Sequence, residues 1–359
     1  MSRALSGDRM PRGWRHAAWR FIAASLVALL ASGCVSLVSE ITQPSTPHSA
    51  SRKAVERIER ESLHLETQSL HARSGNRIAY RLLPAADYHL AYAYSRQPHS
   101  FKTNFSWKNP DPVAVQGSIV FLHGWAEDHA MMLPWALAMA RHGYQGVLPD
   151  LRNFGKSDRA PVGFGPREAE DIVDLLRAMR ARGKLQSPVY LFGVSYGADV
   201  AIHAAAMAPD TIDGVVAMEP FVDAESAIRG FVADARKSSR GLKGRLWSAY
   251  ARHAFDDARV DAAIAESGKR LGLDLHDTGI AVPLRDGHAC TLLLQGGEDE
   301  FFDPTALRAF SNAPQVRYLE MPEETHLTLP LRIDLLAEPL SQWLPQTRDC
   351  PAFALPAAE

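Results

Sequence analysis

The stretch Val189-Tyr-Leu-Phe-Gly193-Val194-Ser195-Tyr196-Gly197-Ala198 joins an apolar run to a helix-favouring run that ends near Met207. A strand that breaks into Gly-x-Ser-x-Gly and continues as a helix is the pattern of a nucleophile elbow, in which a sharp turn holds the serine hydroxyl above the end of a sheet. The pentapeptide alone is also compatible with a glycine-rich turn that carries a capping serine. The strand before it and the Ala-rich run after it favour the elbow and predict Ser195 as a nucleophile.

Strand-like and helix-like runs alternate on both sides of this stretch. Buried strands are predicted at 117–122, 145–148, 189–192, 214–218, 291–294 and 316–319, and helices at 131–141, 166–182, 198–207 and 331–344. An antiparallel strand at the sheet edge is predicted for 77–81. Such alternation predicts an α/β fold with right-handed crossovers and a mostly parallel sheet that is flanked by helices on both faces.

The alternation stops at 221–283, where helical character fills a connection that normally needs only a handful of residues. One interpretation is a set of helices that packs on the surface of the domain. The segment starts at the carboxyl end of a strand, which is where sites form in α/β proteins. We therefore predict a helical lid that supplies an apolar wall for a substrate.

A serine nucleophile needs a general base, and the base needs a carboxylate that orients it. In the elbow architecture these partners follow along the chain in the order serine, acid, histidine. Beyond His288 the chain contains one histidine, His326, in a loop after the predicted strand 316–319. The sequence therefore predicts His326 as the base.

A group of acids follows the predicted strand 291–294: Glu298, Asp299, Glu300 and Asp303. Asp299 lies three residues beyond Gly296 and is the predicted acid of the triad. Asp303 is explained as a helix cap, because Pro304 follows it at the first helical position. Glu219, at the end of the strand 214–218, is an alternative acid.

Acyl transfer also needs N–H donors that stabilise the developing oxyanion. The residue after the nucleophile, Tyr196, is predicted to supply one backbone N–H. The loop Phe121-Leu-His123-Gly124-Trp125 follows an earlier strand and is predicted to supply the second from Trp125. His123 is interpreted as a structural histidine, because chain order assigns the base to His326.

Taken together, these motifs resemble the α/β-hydrolase superfamily. His123-Gly124-Trp125 resembles its oxyanion loop, and Gly296-x-x-Asp299 resembles its acid turn. The segment Asp150-Leu-Arg-Asn153-Phe154-Gly-Lys-Ser157 is similar to the family's Asp-x-Arg-Gly-His-Gly-x-Ser loop, with Asn153 and Phe154 in place of Gly and His. The resemblance covers about residues 76–345. It implies an eight-stranded sheet and no cofactor. No cluster of Cys and His with metal-ligand spacing appears in the sequence, so no metal site is predicted.

Within the superfamily the chain is most similar to serine aminopeptidase-like and lysophospholipase-like hydrolases. The resemblance implies a serine hydrolase that cleaves carboxylic esters, with a small-molecule or lipid ester as substrate. Three alternatives stay open: an aminopeptidase or amidase, another acyl-transfer enzyme on the same triad, and a cell-envelope binding protein without turnover. The serine at the elbow argues against haloalkane dehalogenases, which resemble this architecture but carry Asp there.

The N-terminus has the pattern of a secretory signal. Arginines between Arg3 and Arg20 precede the apolar run 21–31, which ends in Ser32-Gly33-Cys34. The small residues before Cys34 resemble the bacterial lipobox, although Ala31 stands where that motif usually has Leu. This predicts lipidation of Cys34 and a lipid-anchored protein of the bacterial cell envelope, on the outer membrane facing the periplasm. A plain signal peptide and an uncleaved anchor are the alternatives.

The predicted organisation is a signal peptide at 1–33, a tether at 34–60, a hydrolase domain at 61–345 that includes the lid, and a tail at 346–359. The 39 Lys and Arg residues nearly balance 41 Asp and Glu residues. This balance, with no clustered basic face, argues against a nucleic-acid partner. Cys290 and Cys350 could pair in an oxidising periplasm or stay as free buried thiols.

Overall fold

The computed structural model describes residues 37–45, 50–97, 100–237 and 241–356. The predicted signal peptide at 1–33 and Cys34 lie outside these residues, so lipidation stays a prediction. Within the predicted tether, the described residues form the short helix α1 (Leu37–Thr42) and most of helix α2 (Ala50–Glu61).

In chain order, the strands of the described residues are β1 (Gln68–His71), β2 (Arg77–Leu83), β3 (Ala86–Asp87), β4 (Ala91–Gln97), β5 (Ser100–Ser106), β6 (Asp111–Pro112), β7 (Gly117–Leu122), β8 (Tyr144–Pro149), β9 (Val189–Val194), β10 (Gly214–Met218), β11 (Cys290–Gly296) and β12 (Val316–Met321). Eight of them form one sheet in the order β1-β2-β8-β7-β9-β10-β11-β12. Neighbours from β8 to β12 are parallel, and β2 runs antiparallel to β1 and β8. The predicted fold class is confirmed.

One strand prediction was wrong in its position. The segment 77–81 was expected at the sheet edge, but β2 lies one strand further in, because β1 pairs along its outer side. The burial of β1 alternates between partly exposed and exposed residues. Its short polar sequence, Gln68-Ser-Leu-His71, lacks the apolar alternation by which a strand is recognised.

The helices that follow are α3 (Leu133–Ala140), α4 (Pro166–Ala181), α5 (Tyr196–Met207), α6 (Ala224–Arg236), α7 (Gly241–Ala254), α8 (Asp257–Leu271), α9 (Ala281–Asp286), α10 (Pro304–Arg308) and α11 (Ile333–Trp343). Short 3-10 turns lie at His129–Met132, Ala309–Asn312, Leu329–Leu331 and Leu344–Gln346. Within the described ranges, no helix combines the length and the apolar content that crossing a bilayer would need.

Both faces of the sheet are covered. Val120 and Leu122 of β7 belong to the core shared with α4 and α5, whereas Ile119 and Phe121 belong to the core shared with α3 and α11. Successive side chains of a strand point to opposite faces, so a strand buried on both faces is apolar at every position. This explains why β7 and β9 were recognised from continuous apolar runs.

The segment predicted as a lid, 221–283, contains α6, α7, α8 and the start of α9. Helix α6 begins at a cap in which the Asp223 side chain accepts a hydrogen bond from the N–H of Ser226 at 2.7 Å. Its Gly230 approaches the acid loop so closely that an added Cβ would lie 2.2 Å from the carbonyl oxygen of Phe301. The segment is therefore seated directly against the loop that carries Asp299.

A buried charge cluster attaches helix α2 to the sheet. His129 lies between two carboxylates, with Nδ1 2.6 Å from Asp150 and Nε2 2.9 Å from Glu59. Arg81 of β2 donates to the other oxygen of Asp150 at 2.9 Å. Burial alone would lower the pKa of His129, but the two carboxylates outweigh burial and raise its pKa to about 10. The imidazolium is thus part of the native structure at neutral pH.

A disulfide joins Cys290, the first residue of β11, to Cys350 in the C-terminal tail, with the Cα atoms 5.3 Å apart. The two cysteines that the sequence left as paired or free are therefore paired. The bond holds the tail against the end of the sheet, where Phe353 also packs on Trp343 of α11. The two residues are separated by 60 positions along the chain.

Candidate active site

The turn at Ser195 has no room for a side chain two residues before or two residues after the serine. A Cβ added at Gly193 would lie 2.1 Å from the carbonyl oxygen of Gly197, and one added at Gly197 would lie 2.2 Å from the carbonyl oxygen of Leu122. Ser195 itself has a φ of 51°, which is unfavourable for a residue with a side chain. Strain of this kind is retained where the surrounding structure enforces it, as here between β9 and α5.

The structure brings the three predicted triad residues together. His326 Nε2 lies 2.9 Å from Ser195 Oγ, and His326 Nδ1 lies 3.0 Å from Asp299 Oδ2. Ser195 follows β9, Asp299 follows β11 and His326 follows β12, so parallel strands place all three at the same edge of the sheet. Both contacts are within hydrogen-bond distance.

Asp299 is surrounded by hydrogen-bond donors. Oδ1 accepts from the backbone N–H groups of Phe301 and Phe302 at 2.7 and 2.9 Å, and Oδ2 accepts from Gln295 Nε2 at 2.6 Å as well as from His326. Burial would raise the pKa of Asp299, but the hydrogen bond from His326 and the backbone donors outweigh it and lower the pKa. Asp299 is therefore a stable carboxylate beside the imidazole.

The alternative acid, Glu219, lies behind this contact. Its Oε2 is 4.0 Å from His326 Nδ1, compared with 3.0 Å for Asp299. Its Oε1 accepts from the N–H of Gly296 at 2.9 Å. Burial raises the pKa of Glu219 well above its usual range, and the neighbouring Asp299 charge adds to that shift. The orienting contact to His326 is thus made by Asp299.

The two predicted oxyanion donors lie at the starts of the segments that follow β9 and β7. Tyr196 is the first residue of α5, so helix geometry leaves its N–H outside the hydrogen-bond ladder of the helix. Trp125 is in a turn that the N–H of Glu127 closes on the carbonyl of Gly124 at 3.3 Å, with Ala126 at a φ of 59°. The turn follows β7, the strand next to β9.

His123 has a structural place in this loop. Its Nε2 accepts from the N–H of Leu151 at 3.0 Å, and its Nδ1 donates to the carbonyl of Gly124 at 2.9 Å. Burial lowers the pKa of His123 and keeps the ring neutral. One protonated and one unprotonated nitrogen are what these two hydrogen bonds require. His123 thereby links the loop after β7 to the loop after β8.

Comparison with known proteins supports the same architecture. Residues 117–237 match the family model described as alpha/beta hydrolase fold. A solved esterase from Pyrococcus furiosus superposes with a TM-score of 0.57 at 14% identity, over 85% of this chain and 97% of that chain. The chain thus has the α/β-hydrolase fold.

A curated protein that resembles part of this chain is 2-(acetamidomethylene)succinate hydrolase of Mesorhizobium japonicum. It is 31% identical over 111 residues, which are 30% of this chain and 38% of the relative. The match thus spans well under half of the relative's length. It agrees with the fold and carries no substrate with it.

Aromatic rings lie around the candidate site. On one side the Trp125 ring lies 5.7 Å from Phe154, 5.1 Å from Phe164 and 5.0 Å from Tyr196, measured between ring centroids. On the other side the His326 ring lies 5.1 Å from Phe301 and 5.0 Å from Phe302. The side chain of His326 is only 5% exposed. Charge that develops near Ser195 is therefore poorly screened by water.

Potential ligand atoms of Glu219, Asp299 and His326 come within 4.8 Å of one another, as do those of Asp128, His129 and Asp150. In both sets the ring nitrogens already face carboxylates at hydrogen-bond distance. The arrangement in both sets is that of a hydrogen-bonded charge cluster. That the protein uses no metal or cofactor stays a prediction.

Two contributors to the site were missed from the sequence. Gln295 lies just beyond the predicted strand 291–294 and was assigned no role, but it is fully buried and donates to Asp299. Phe164 stacks on Trp125, but it lies in a loop for which no contact was predicted. Only the fold brings these residues to the elbow.

Proposed function

We propose that the protein is a serine hydrolase that cleaves carboxylic esters through an acyl-enzyme intermediate. The observation that carries the proposal is the continuous hydrogen-bonded chain from Ser195 Oγ through His326 to Asp299, with distances of 2.9 and 3.0 Å. A serine, a base and an orienting carboxylate in this order are the parts that acyl transfer requires.

In the proposed reaction, Ser195 Oγ attacks the ester carbonyl while His326 Nε2 takes the hydroxyl proton. Asp299 holds the imidazole with Nδ1–H directed at its carboxylate and stabilises the imidazolium. The N–H groups of Tyr196 and Trp125 stabilise the tetrahedral oxyanion. His326 then passes the proton to the leaving alcohol. A water molecule, deprotonated by the same base, attacks the acyl-enzyme, and its breakdown releases the acid and restores Ser195.

The surroundings of Ser195 support an uncharged, apolar acyl group. The rings of Trp125, Phe154 and Phe164 lie together on one side of the elbow, and Phe231 of α6 lies 6.5 Å from the His326 ring on the other. The cationic side chain of Arg152 behind Tyr196 is already paired with Asp171 at 2.8 Å. An acyl group would thus meet the partly exposed rings of Trp125 and Phe231, with the buried rings of Phe154 and Phe164 behind Trp125, and Arg152 would not be free to pair with an acyl charge.

A fluorophosphonate probe tests the proposal directly. We expect one covalent adduct on the wild-type protein by intact mass, none on Ser195→Ala, and normal labelling of the exposed-serine control Ser106→Ala. Turnover of p-nitrophenyl esters of increasing acyl length then defines the pocket. A well-folded wild type that neither labels nor hydrolyses any ester would overturn the proposal and favour a binding protein without turnover.

An amidase is the second candidate. The name of the matched Mesorhizobium relative describes hydrolysis of an acetamido compound, and the same triad serves esters and amides. Comparing p-nitrophenyl esters with acyl and aminoacyl anilides separates the two candidates, as well as an aminopeptidase. Faster turnover of an anilide than of the matched ester would assign the protein to amides.

We also propose that the protein is anchored to the bacterial cell envelope through lipidated Cys34, on the outer membrane facing the periplasm. The basic and apolar N-terminal pattern supports this, and the Cys290–Cys350 disulfide fits an oxidising compartment. Processing that globomycin blocks, together with a lipid mass on Cys34, is the expected result. Soluble protein with a different first residue would contradict it.

A further inference from the structure

Two carboxyl groups, rather than one, face the same nitrogen of the base. Asp299 Oδ2 lies 3.0 Å from His326 Nδ1, and Glu219 Oε2 lies 4.0 Å from it. The side chains of both acids are fully inaccessible to solvent. Two carboxylates this close in a buried site repel each other strongly, so such a pair holds a single negative charge and one proton.

The hydrogen bonds decide which carboxyl is charged. Asp299 accepts from four donors: the His326 ring, the Gln295 amide and the N–H groups of Phe301 and Phe302. Glu219 accepts from one donor, the N–H of Gly296, and its Oε2 has no donor among the described residues. Donors stabilise a carboxylate, whereas burial without donors favours the neutral acid. The proton therefore belongs on Glu219.

The backbone at Glu219 is strained. Glu219 has a φ of 57°, the left-handed region that residues with side chains rarely occupy. Its N–H donates to the carbonyl of Leu294 at 2.8 Å, which continues the pairing of β10 with β11 past the strand end. Gly296 approaches the carboxyl so closely that an added Cβ would lie 2.9 Å from Glu219 Oε1. Strain of this kind concentrates at functional sites.

We propose that Glu219 is a positioning residue that is kept as a neutral carboxylic acid and shares its proton with the Asp299 carboxylate. In this arrangement Asp299 is the single negative charge that faces His326. When the Asp299 carboxylate is absent, Glu219 releases its proton to solvent and accepts the hydrogen bond from His326 Nδ1 in its place. The proposal rests on the hydrolase function proposed above.

The activity test is a double-mutant cycle on kcat/KM for a model ester. Glu219→Gln keeps a neutral, hydrogen-bonding side chain, so we expect activity within about threefold of wild type. Asp299→Ala should keep measurable activity, because Glu219 replaces the lost carboxylate. Asp299→Ala combined with Glu219→Gln should lose at least about tenfold more, because no carboxylate then orients the imidazole.

The pH dependence of kcat/KM distinguishes a positioning role of Glu219 from a purely structural role. In Asp299→Ala, kcat/KM should rise with pH along a new limb that reports ionisation of Glu219, and this limb should disappear in the double variant. Asp199→Asn in the Asp299→Ala background is the matched control. Asp199 is also a buried carboxyl with a raised pKa, but its partner is the N–H of Phe221. In the Asp299→Ala background, equal kcat/KM and equal pH profiles with and without Glu219→Gln would overturn the proposal.

Infrared spectroscopy tests whether Glu219 is protonated without measuring turnover. The wild type at neutral pH should show the carbonyl band of a protonated carboxyl that Glu219→Gln removes. Absence of that band from the wild-type minus Glu219→Gln difference spectrum would overturn the proposal, even in a fully active enzyme. A wild type without probe labelling or turnover would instead overturn the proposed hydrolase function. The infrared spectrum would still show whether Glu219 is protonated. Asp299→Asn replaces Asp299→Ala if the alanine variant does not fold.

Discussion

The ring of Phe231 on helix α6 lies 4.5 Å from the ring of Phe301, two residues after Asp299. The preceding residue, Gly230, is in such close contact with the Phe301 carbonyl that a side chain has no room there. Helix α6 is therefore packed directly against the loop that carries Asp299. A change in α6 is transmitted to the loop that holds the triad acid, which makes this contact a point where the insertion can affect catalysis.

Phe231→Ala should lower kcat/KM for esters with a long acyl chain. Removing a partly buried ring costs apolar contact with the acyl group and with Phe301, so we expect kcat/KM for a long-chain ester to fall about tenfold or more, with a smaller effect on acetate esters. Steady-state kinetics across an acyl-length series is the measurement. Leu246→Ala, on the exposed face of α7, is the control and should change neither. Equal losses for all chain lengths would contradict a role in acyl recognition.

Ser195→Gly should stabilise the fold while it abolishes activity. The φ of 51° at Ser195 is unfavourable for a side-chain-bearing residue but accessible to glycine. We expect the free energy of unfolding to rise by about 1 kcal/mol relative to Ser195→Ala, which loses the hydroxyl but keeps the strain. Urea unfolding of the two variants measures the difference. An Ser195→Gly protein less stable than Ser195→Ala would show that the elbow is not strained.

The buried cluster around His129 should make stability depend on pH. The folded pKa of His129 is about 10, whereas an unfolded histidine titrates near 6.5, so protonation favours the folded state. Its contribution is fully present below about pH 6.5 and is lost as the pH rises toward 10, by up to about 1.4 kcal/mol per pH unit. Urea unfolding at several pH values should show this loss in the wild type. A His129→Gln variant should be less stable at pH 6 and lack the decline that is due to this residue.

The disulfide should contribute to stability by restricting the unfolded chain. For a loop of the size closed by Cys290 and Cys350, we expect the double variant Cys290→Ser, Cys350→Ser to lose about 2–4 kcal/mol of unfolding free energy. Chemical denaturation with and without reductant measures this loss. Reductant should destabilise the wild type and leave the double variant unchanged. A wild type that is equally stable after complete reduction would contradict the prediction.

The sequence by itself determined the elements whose signals are local. The continuous apolar runs of β7 and β9 predict strands buried on both faces, and the glycines on either side of Ser195 are what its tight turn requires. Chain order then assigned His326, because one histidine follows the acid turn. These inferences needed only periodicity, residue size and order along the chain.

Tertiary structure decided everything that depends on distance between remote segments. It paired Cys290 with Cys350, placed β1 outside β2, and brought Gln295 to the same oxygen of Asp299 that His326 contacts. From the sequence, Glu219 and Asp299 were both candidates at the ends of neighbouring strands. Only the structure shows that both carboxyl groups face the imidazole of His326. Asp299 accepts four hydrogen bonds and Glu219 accepts one, and this difference distinguishes the charged acid from the neutral one. Such counts of buried donors arise from packing and leave no periodic trace along a chain.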